Sequence, residues 1–102
     1  MILALPVVGH AQEATVSGTV TDVTGGVLPG VTVQAVHEAS GNSFEGVTDE
    51  RGDYRLPVRV GAYRLTADLP GFATIARTLT LLAGQTAVVK LQMSVSGLQE
   101  TV

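Results

Sequence analysis

Four carboxylates stand where the chain must turn. Asp22 precedes Thr24-Gly25-Gly26, and Asp49, Glu50 and Asp53 surround Arg51-Gly52. Gathered at one end of a molecule, they would offer oxygen ligands to Ca²⁺, which takes about six to eight of them. The Asp-Glu-Arg-Gly-Asp run lacks the alternating oxygen ligands of an EF-hand loop, and an Asp beside a Gly in a turn commonly caps backbone N–H groups. Turn capping is therefore the expected role. The only imidazoles are His10 and His37. His37 alone cannot complete a Zn²⁺ set. Ser40 and Ser43 sit in a turn with no elbow motif around them, so no nucleophilic triad is expected with His37. Cysteine is absent, which removes disulfides, thiolate metal sites, thiol catalysis and an N-terminal lipidated Cys. The sequence thus predicts no catalytic residue, no cofactor and no metal site.

The remaining chemistry to weigh is sugar binding, which uses exposed aromatic platforms. The aromatics are Phe44, Tyr54, Tyr63 and Phe72, with no Trp. All four fall on expected core faces or turn anchors, Phe44 least securely, because a core this poor in aromatics tends to bury those it has.

These residues need elements to hold them, and the periodicity supplies strands. Val16 and Val20 alternate with Thr15, Ser17, Thr19 and Thr21, the period of a half-buried strand. Seven strands are expected, over residues 14–23, 31–38, 43–48, 53–57, 62–68, 72–82 and 86–93. Leu28-Pro29-Gly30-Val31 fits a type II turn, with Pro fixing φ at the first central position and Gly supplying φ > 0 at the second. Residues 58–61 read as a connection. Pro57 and Pro70 are expected near strand ends, where a missing N–H does least harm. Expected inner faces include Tyr63, Leu65 and Ala67; Ile75, Leu79 and Leu81; and Ala87, Val89, Leu91 and Met93. No stretch has apolar residues at helical spacing with caps. The expected fold is all-β, a seven-stranded Greek-key β-sandwich.

At 102 residues the chain holds one small domain. Five Arg and the single Lys90 are scattered, and the net charge is −3, so no basic patch exists for a phosphate backbone and nucleic acid is not an expected partner. Met1 to Val8 is apolar, and Gly9-His10-Ala11 follows with small residues before Gln12. Residues 1–11 are therefore expected to be a signal-peptide-like segment. No Lys or Arg precedes the run, so the expectation is either a start further upstream or a chain that is a piece of a longer protein. The run is too short for a bilayer, which takes about 20 apolar residues, and no other segment qualifies as a transmembrane span.

Four short motifs, in order, carry a resemblance. Gly18-x-Val20-x-Asp22 with Gly25-Gly26 and Leu28-Pro29-Gly30-Val31 resembles the opening of carboxypeptidase regulatory-like domains. Thr48-Asp49-x-x-Gly52-x-Tyr54 resembles their second signature, and Gly61-x-Tyr63 and Gly71-Phe72 the third and fourth. Two apolar strands around Gly84, residues 78–93, resemble the closing pair. Val60 stands where the family usually has Pro. The resemblance implies a transthyretin-like (prealbumin-like) sandwich over residues 14–93, acting as an accessory domain without catalytic residues. It further implies an N-terminal position in TonB-dependent outer-membrane receptors, after the signal peptide and before plug and barrel. Residues 94–102 are then expected to be a linker. Transthyretin-like folds also include a ureide hydrolase, but its Tyr-Arg-Gly-Ser run is missing here. A Lys–Asn isopeptide cross-link is not expected either, with Lys90 on the last strand and Asn42, the sole Asn, in a turn.

The expected function is that of a non-catalytic docking domain in the periplasm or at the outer membrane. Its expected partners are cell-envelope proteins or an adjacent plug or barrel domain, and the alternative is a carbohydrate-binding, starch-binding-like module.

Overall fold

A computed structural model describes residues 13–96. They form eight strands: β1 (Glu13–Asp22), β2 (Thr32–His37), β3 (Ser43–Val47), β4 (Asp53–Arg59), β5 (Gly61–Asp68), β6 (Ile75–Leu81), β7 (Thr86–Val88) and β8 (Leu91–Met93). One sheet has β1 at its centre, with β4 antiparallel on one side and β7 and β8 parallel on the other. The second sheet runs β3-β2-β5-β6 and is antiparallel throughout. Among the described residues no helix is long and apolar enough to cross a membrane. The signal-like segment, residues 1–11, and the last six residues, 97–102, lie outside the described residues.

The expected two-sheet all-β sandwich is what forms, and the period-2 pattern explains why. Val16 and Val20 of β1, Val33 and Ala35 of β2, Tyr63, Leu65 and Ala67 of β5, and Leu91 and Met93 of β8 are all buried between the sheets. Fully burying a Val or Leu side chain contributes about 1.5–3 kcal/mol, so this inner face fixes the register of each strand. Phe44, Phe72, Ile75, Leu79, Ala87 and Val89 pack against this core while partly exposed.

Three boundaries differ from the sequence expectation. First, β4 continues to Arg59, so the expected connection over residues 58–61 shrinks to Val60 alone, and Pro57 lies inside a strand rather than at its end. Pro57 is opposite Thr15 on β1, and Thr15 sends its own N–H the other way, to the Gln85 carbonyl at 2.9 Å. The pair therefore exchanges no hydrogen bond, and on an edge strand the missing Pro57 donor leaves no gap.

Second, β6 begins at Ile75, not at residue 72. Phe72 instead bridges to Val95. Ala73 donates its N–H to the Ser94 carbonyl at 2.8 Å and Ser96 donates to the Gly71 carbonyl at 3.0 Å. The first residues of the expected linker are thus held to the sandwich.

Third, the expected seventh strand is divided into β7 and β8, which makes eight strands. The register runs straight across the division: Ser17 is opposite Val88, and Val20 opposite Leu91. The interruption comes from the Val89 carbonyl, which leaves the ladder to accept a hydrogen bond from the Tyr54 hydroxyl.

The Leu28–Val31 turn forms with Gly30 at φ 79°, the value a type II turn requires there. A Cβ at Gly30 would touch nothing within 4 Å. Gly30→Val is therefore expected to cost only backbone strain, about 1–2 kcal/mol. That lowers Tm by roughly 5–15 °C for a domain of this size, read by thermal unfolding; an unchanged Tm would remove the turn assignment.

Candidate functional site

The residues of the first two signatures converge at one end of the sandwich, where β1, the 28–31 turn and the turn before β4 meet; Gly61 and Tyr63 of the third lie at the opposite end. Val20 donates its N–H to the Gly52 carbonyl at 2.8 Å, and Leu28 donates to the Val20 carbonyl at 2.9 Å. The turns are thereby laced onto β1 by main-chain bonds.

The carboxylates cap these turns. Asp22 Oδ1 accepts the Thr24 N–H at 2.8 Å, the Thr24 hydroxyl at 2.6 Å and the Gly26 N–H at 3.0 Å. Asp49 Oδ1 accepts the Arg51 N–H at 2.9 Å and the Asp53 N–H at 3.0 Å. Donors that favour the ionised form pull a carboxyl down. The Thr24 hydroxyl chiefly, with the neighbouring amides, holds Asp22 below the usual carboxylate range. For Asp49 the amides of Asp53 and Arg51 do this, helped by the Arg51 charge. Asp53 Oδ1 accepts the Thr19 hydroxyl at 2.7 Å and is directed along the sheet. Among the described residues no group of three acidic or His side chains gathers into a metal-holding cluster. Glu50 is exposed and joins no cap.

Two contributions were not visible in the sequence. Thr48 is the one buried polar residue found among the described residues. Its hydroxyl accepts the Val31 N–H at 2.9 Å and donates to the Leu28 carbonyl at 2.7 Å. The hydrogen bond a tight turn would close between its first and last residues thus passes through the Thr48 hydroxyl. The main chain of Thr48 ties the same turn, accepting from Gly30 at 3.1 Å and donating to the Val31 carbonyl at 2.9 Å.

The second is a notch at Gly18, which faces inward between Val16 and Val20 and lies opposite Tyr54. The Val89 carbonyl oxygen occupies the space a Cβ on Gly18 would need, and the Tyr54 hydroxyl donates to it at 2.6 Å. Val89 donates its own N–H to the Ser17 carbonyl at 2.7 Å. This explains why Gly18 and Tyr54 both belong to the signature: one leaves room for a carbonyl and the other satisfies it.

Burial pushes the Tyr54 phenol up to about 12, with the Arg77 charge opposing. The ordinary phenol value applies when the chain is unfolded, so the unfolded state loses this proton first as pH rises. Stability from this group is therefore complete below about pH 10 and lost as pH climbs toward 12, by about 2–3 kcal/mol in all. Alkaline unfolding followed with phenolate absorbance should show this slope, and Tyr54→Phe should abolish it. A slope of equal size in the variant would assign it elsewhere.

At the other end, His37 closes the β2–β3 turn. Its Nδ1 accepts the Ser40 N–H at 3.2 Å and lies 2.9 Å from the Ser40 hydroxyl. Its Nε2 is 3.1 Å from the Val60 carbonyl, to which it donates in the tautomer that leaves Nδ1 free to accept. Gly61, at φ 130°, permits this approach, since a Cβ there would run into the imidazole ring. The ring packs edge-on to Tyr63 at 5.1 Å, and Phe44 packs on Tyr63 at 6.1 Å. Ser40 Oγ also accepts the Asn42 N–H at 3.2 Å. The Ser–His contact is thus part of a turn, its lone pairs shared with backbone amides. Phe44 is half-buried on this cluster rather than displayed as a flat platform. Tyr54 and Tyr63 are buried, and Phe72 packs against the core.

The model of the family described as carboxypeptidase regulatory-like domain matches residues 15–94. No curated protein matches the sequence. Among solved structures, the Bacillus anthracis TIE protein is similar at 21% identity and TM-score 0.66, over 82% of this chain and 17% of that one. The catechol 1,2-dioxygenase of Acinetobacter sp. ADP1 is similar at 11% identity and TM-score 0.69, over 87% of this chain and 54% of the enzyme. The dioxygenase domain of a dioxygenase carbohydrate-binding protein fusion from Streptomyces sp. SirexAA-E gives 14% identity and TM-score 0.70, over 90% of this chain and 86% of that domain. The chain thus spans about a sixth and about half of the first two, and at these identities the likeness is one of fold.

Proposed function

Because the chain belongs to the carboxypeptidase regulatory-like domain family, we propose that it works as a non-catalytic docking domain of an exported protein, placed as the periplasmic N-terminal extension of a TonB-dependent receptor-like protein. The observation that carries this reading is the inward engagement of the signature. Asp22, Thr48, Asp49 and Tyr54 all direct their polar atoms to turns or to the Val89 carbonyl. Sheet edges are among the surfaces that remain available to a partner. Export is supported by the apolar residues 1–8 followed by Gly9-His10-Ala11.

One edge open to strand addition is β6, which, like β3 and β4, pairs on one side only among the described strands. Glu38 donates its N–H to the Ala62 carbonyl, so Ala62 turns its main-chain groups toward β2. Alternation along an antiparallel strand then turns those of Arg64 and Thr66 the same way. Their partners on β6, Thr80, Thr78 and Ala76, therefore present their N–H and C=O groups outward. An extended segment of an envelope protein or of an adjacent plug domain can bond to that row.

Thr78→Pro removes one outward donor without breaking the β5 ladder. In the full chain it is expected to abolish co-purification of a cross-linked envelope partner while Tm stays within a few degrees. Retained co-purification would refute docking at this edge. Glycan binding that vanishes with Phe44→Ala would replace docking by the carbohydrate reading.

A further inference from the structure

The chain enters the sandwich on β1 and leaves it on β8, and these strands are parallel neighbours. Thr15 lies opposite Thr86 at one end of the pair, and Asp22 opposite Met93 at the other. The segments before and after the domain therefore depart from opposite ends of one parallel ladder. We propose that the domain is built to carry tension between the chain segments that flank it. Load passes through the strand arrangement alone, whatever the docking partner or the location.

A pull on both ends loads this ladder in shear. The three residue pairs of β1 with β7 and the three with β8 share the load together, whereas peeling would break them one at a time. On its other side β1 is held to β4 by seven further pairs that are sheared in the same displacement. Extracting β1 also drags Val16 and Val20, both fully buried, out of the core. At the far end, the bonds from Ala73 to Ser94 and from Ser96 to Gly71 must part before β8 itself is loaded.

The Gly18 notch adds a register stop. Strands slip by two residues when their inner faces are to stay inside. A two-residue slip would drive the inward Val89 carbonyl against Val16 or Val20, which carry full side chains where Gly18 carries none. The Tyr54 hydroxyl holds that carbonyl in the notch. Sliding is thus blocked until the strands separate, and a barrier of this kind governs forced unfolding.

The chain has no Cys, so a single introduced thiol gives a unique handle. The full chain would be stretched in a force spectrometer through its two termini, and separately through its N-terminus and Ala83→Cys. Ala83 is exposed and lies just before β7, at the same end of the ladder as the start of β1. That second geometry peels the pair, while matched Tm values would show equal stability. The terminal geometry is expected to require a several-fold higher unfolding force. Equal forces, or a lower one through the termini, would overturn the proposal. Tyr54→Phe is expected to lower the terminal force proportionally more than the peeling force; an equal proportional change would overturn the register stop.

Discussion

Gly18→Ala is expected to be among the most damaging single-methyl substitutions in this chain, lowering stability by about 3 kcal/mol or more. The added carbon would sit where the Val89 carbonyl oxygen now lies. Backbone cannot swing aside as a flexible side chain can, so β7 and β8 must move off β1. That movement breaks the Tyr54–Val89 hydrogen bond and the bond from the Val89 N–H to Ser17. Tm should fall by roughly 12–25 °C. Gly26→Ala is the matched control: Gly26 has no positive φ, and its Cβ would meet nothing closer than 3.5 Å. Its effect should stay within about 0.5 kcal/mol. Equal losses in the two variants would dispose of the notch.

Thr48→Val should cost about 2–4 kcal/mol, because it strands one buried and one part-buried main-chain group at once. The Val31 N–H and the Leu28 carbonyl both bond to the Thr48 hydroxyl, and Thr48 is only 4% exposed, so water does not readily replace it. Thr48→Ser keeps the hydroxyl and should lose only about 1 kcal/mol for the missing methyl. Urea unfolding distinguishes these outcomes as a shift in midpoint at constant slope. Comparable losses in Val and Ser would mean that the methyl, not the hydroxyl relay, holds the turn.

What the sequence disclosed and what it hid follow from range. The Asp22 and Asp49 caps were legible because an Asp bonds amides only two and four residues ahead. The inner faces of β1, β2 and β5 were legible because each strand alternates on its own. The Tyr54–Val89 bond joins residues 35 apart, and Thr48 reaches 20 residues back to Leu28; no local pattern encodes either. Val89 in particular acts through its carbonyl, which every residue type possesses. Pro57 is tolerated inside β4 because of where Thr15 sends its N–H, which no pattern around Pro57 displays. Phe72 reads as part of the sixth strand from its local sequence, whereas its partner is Val95 on a distant segment. The parallel pairing of β1 with β7 and β8 was hidden for the same reason.

The signature residues form a scaffold, and their polar groups are already satisfied within it. Calorimetric unfolding of the full chain, in chelator and then across rising Ca²⁺ up to millimolar levels, tests this most directly, because a ligand that binds the folded state raises Tm with its concentration. If Asp22 and Asp49 are turn caps and the Asp53 carboxylate is held by Thr19, Tm stays constant through the series. A Tm that climbs with Ca²⁺ and ceases to climb in Asp49→Asn would contradict the scaffold account and make these carboxylates a ligand site.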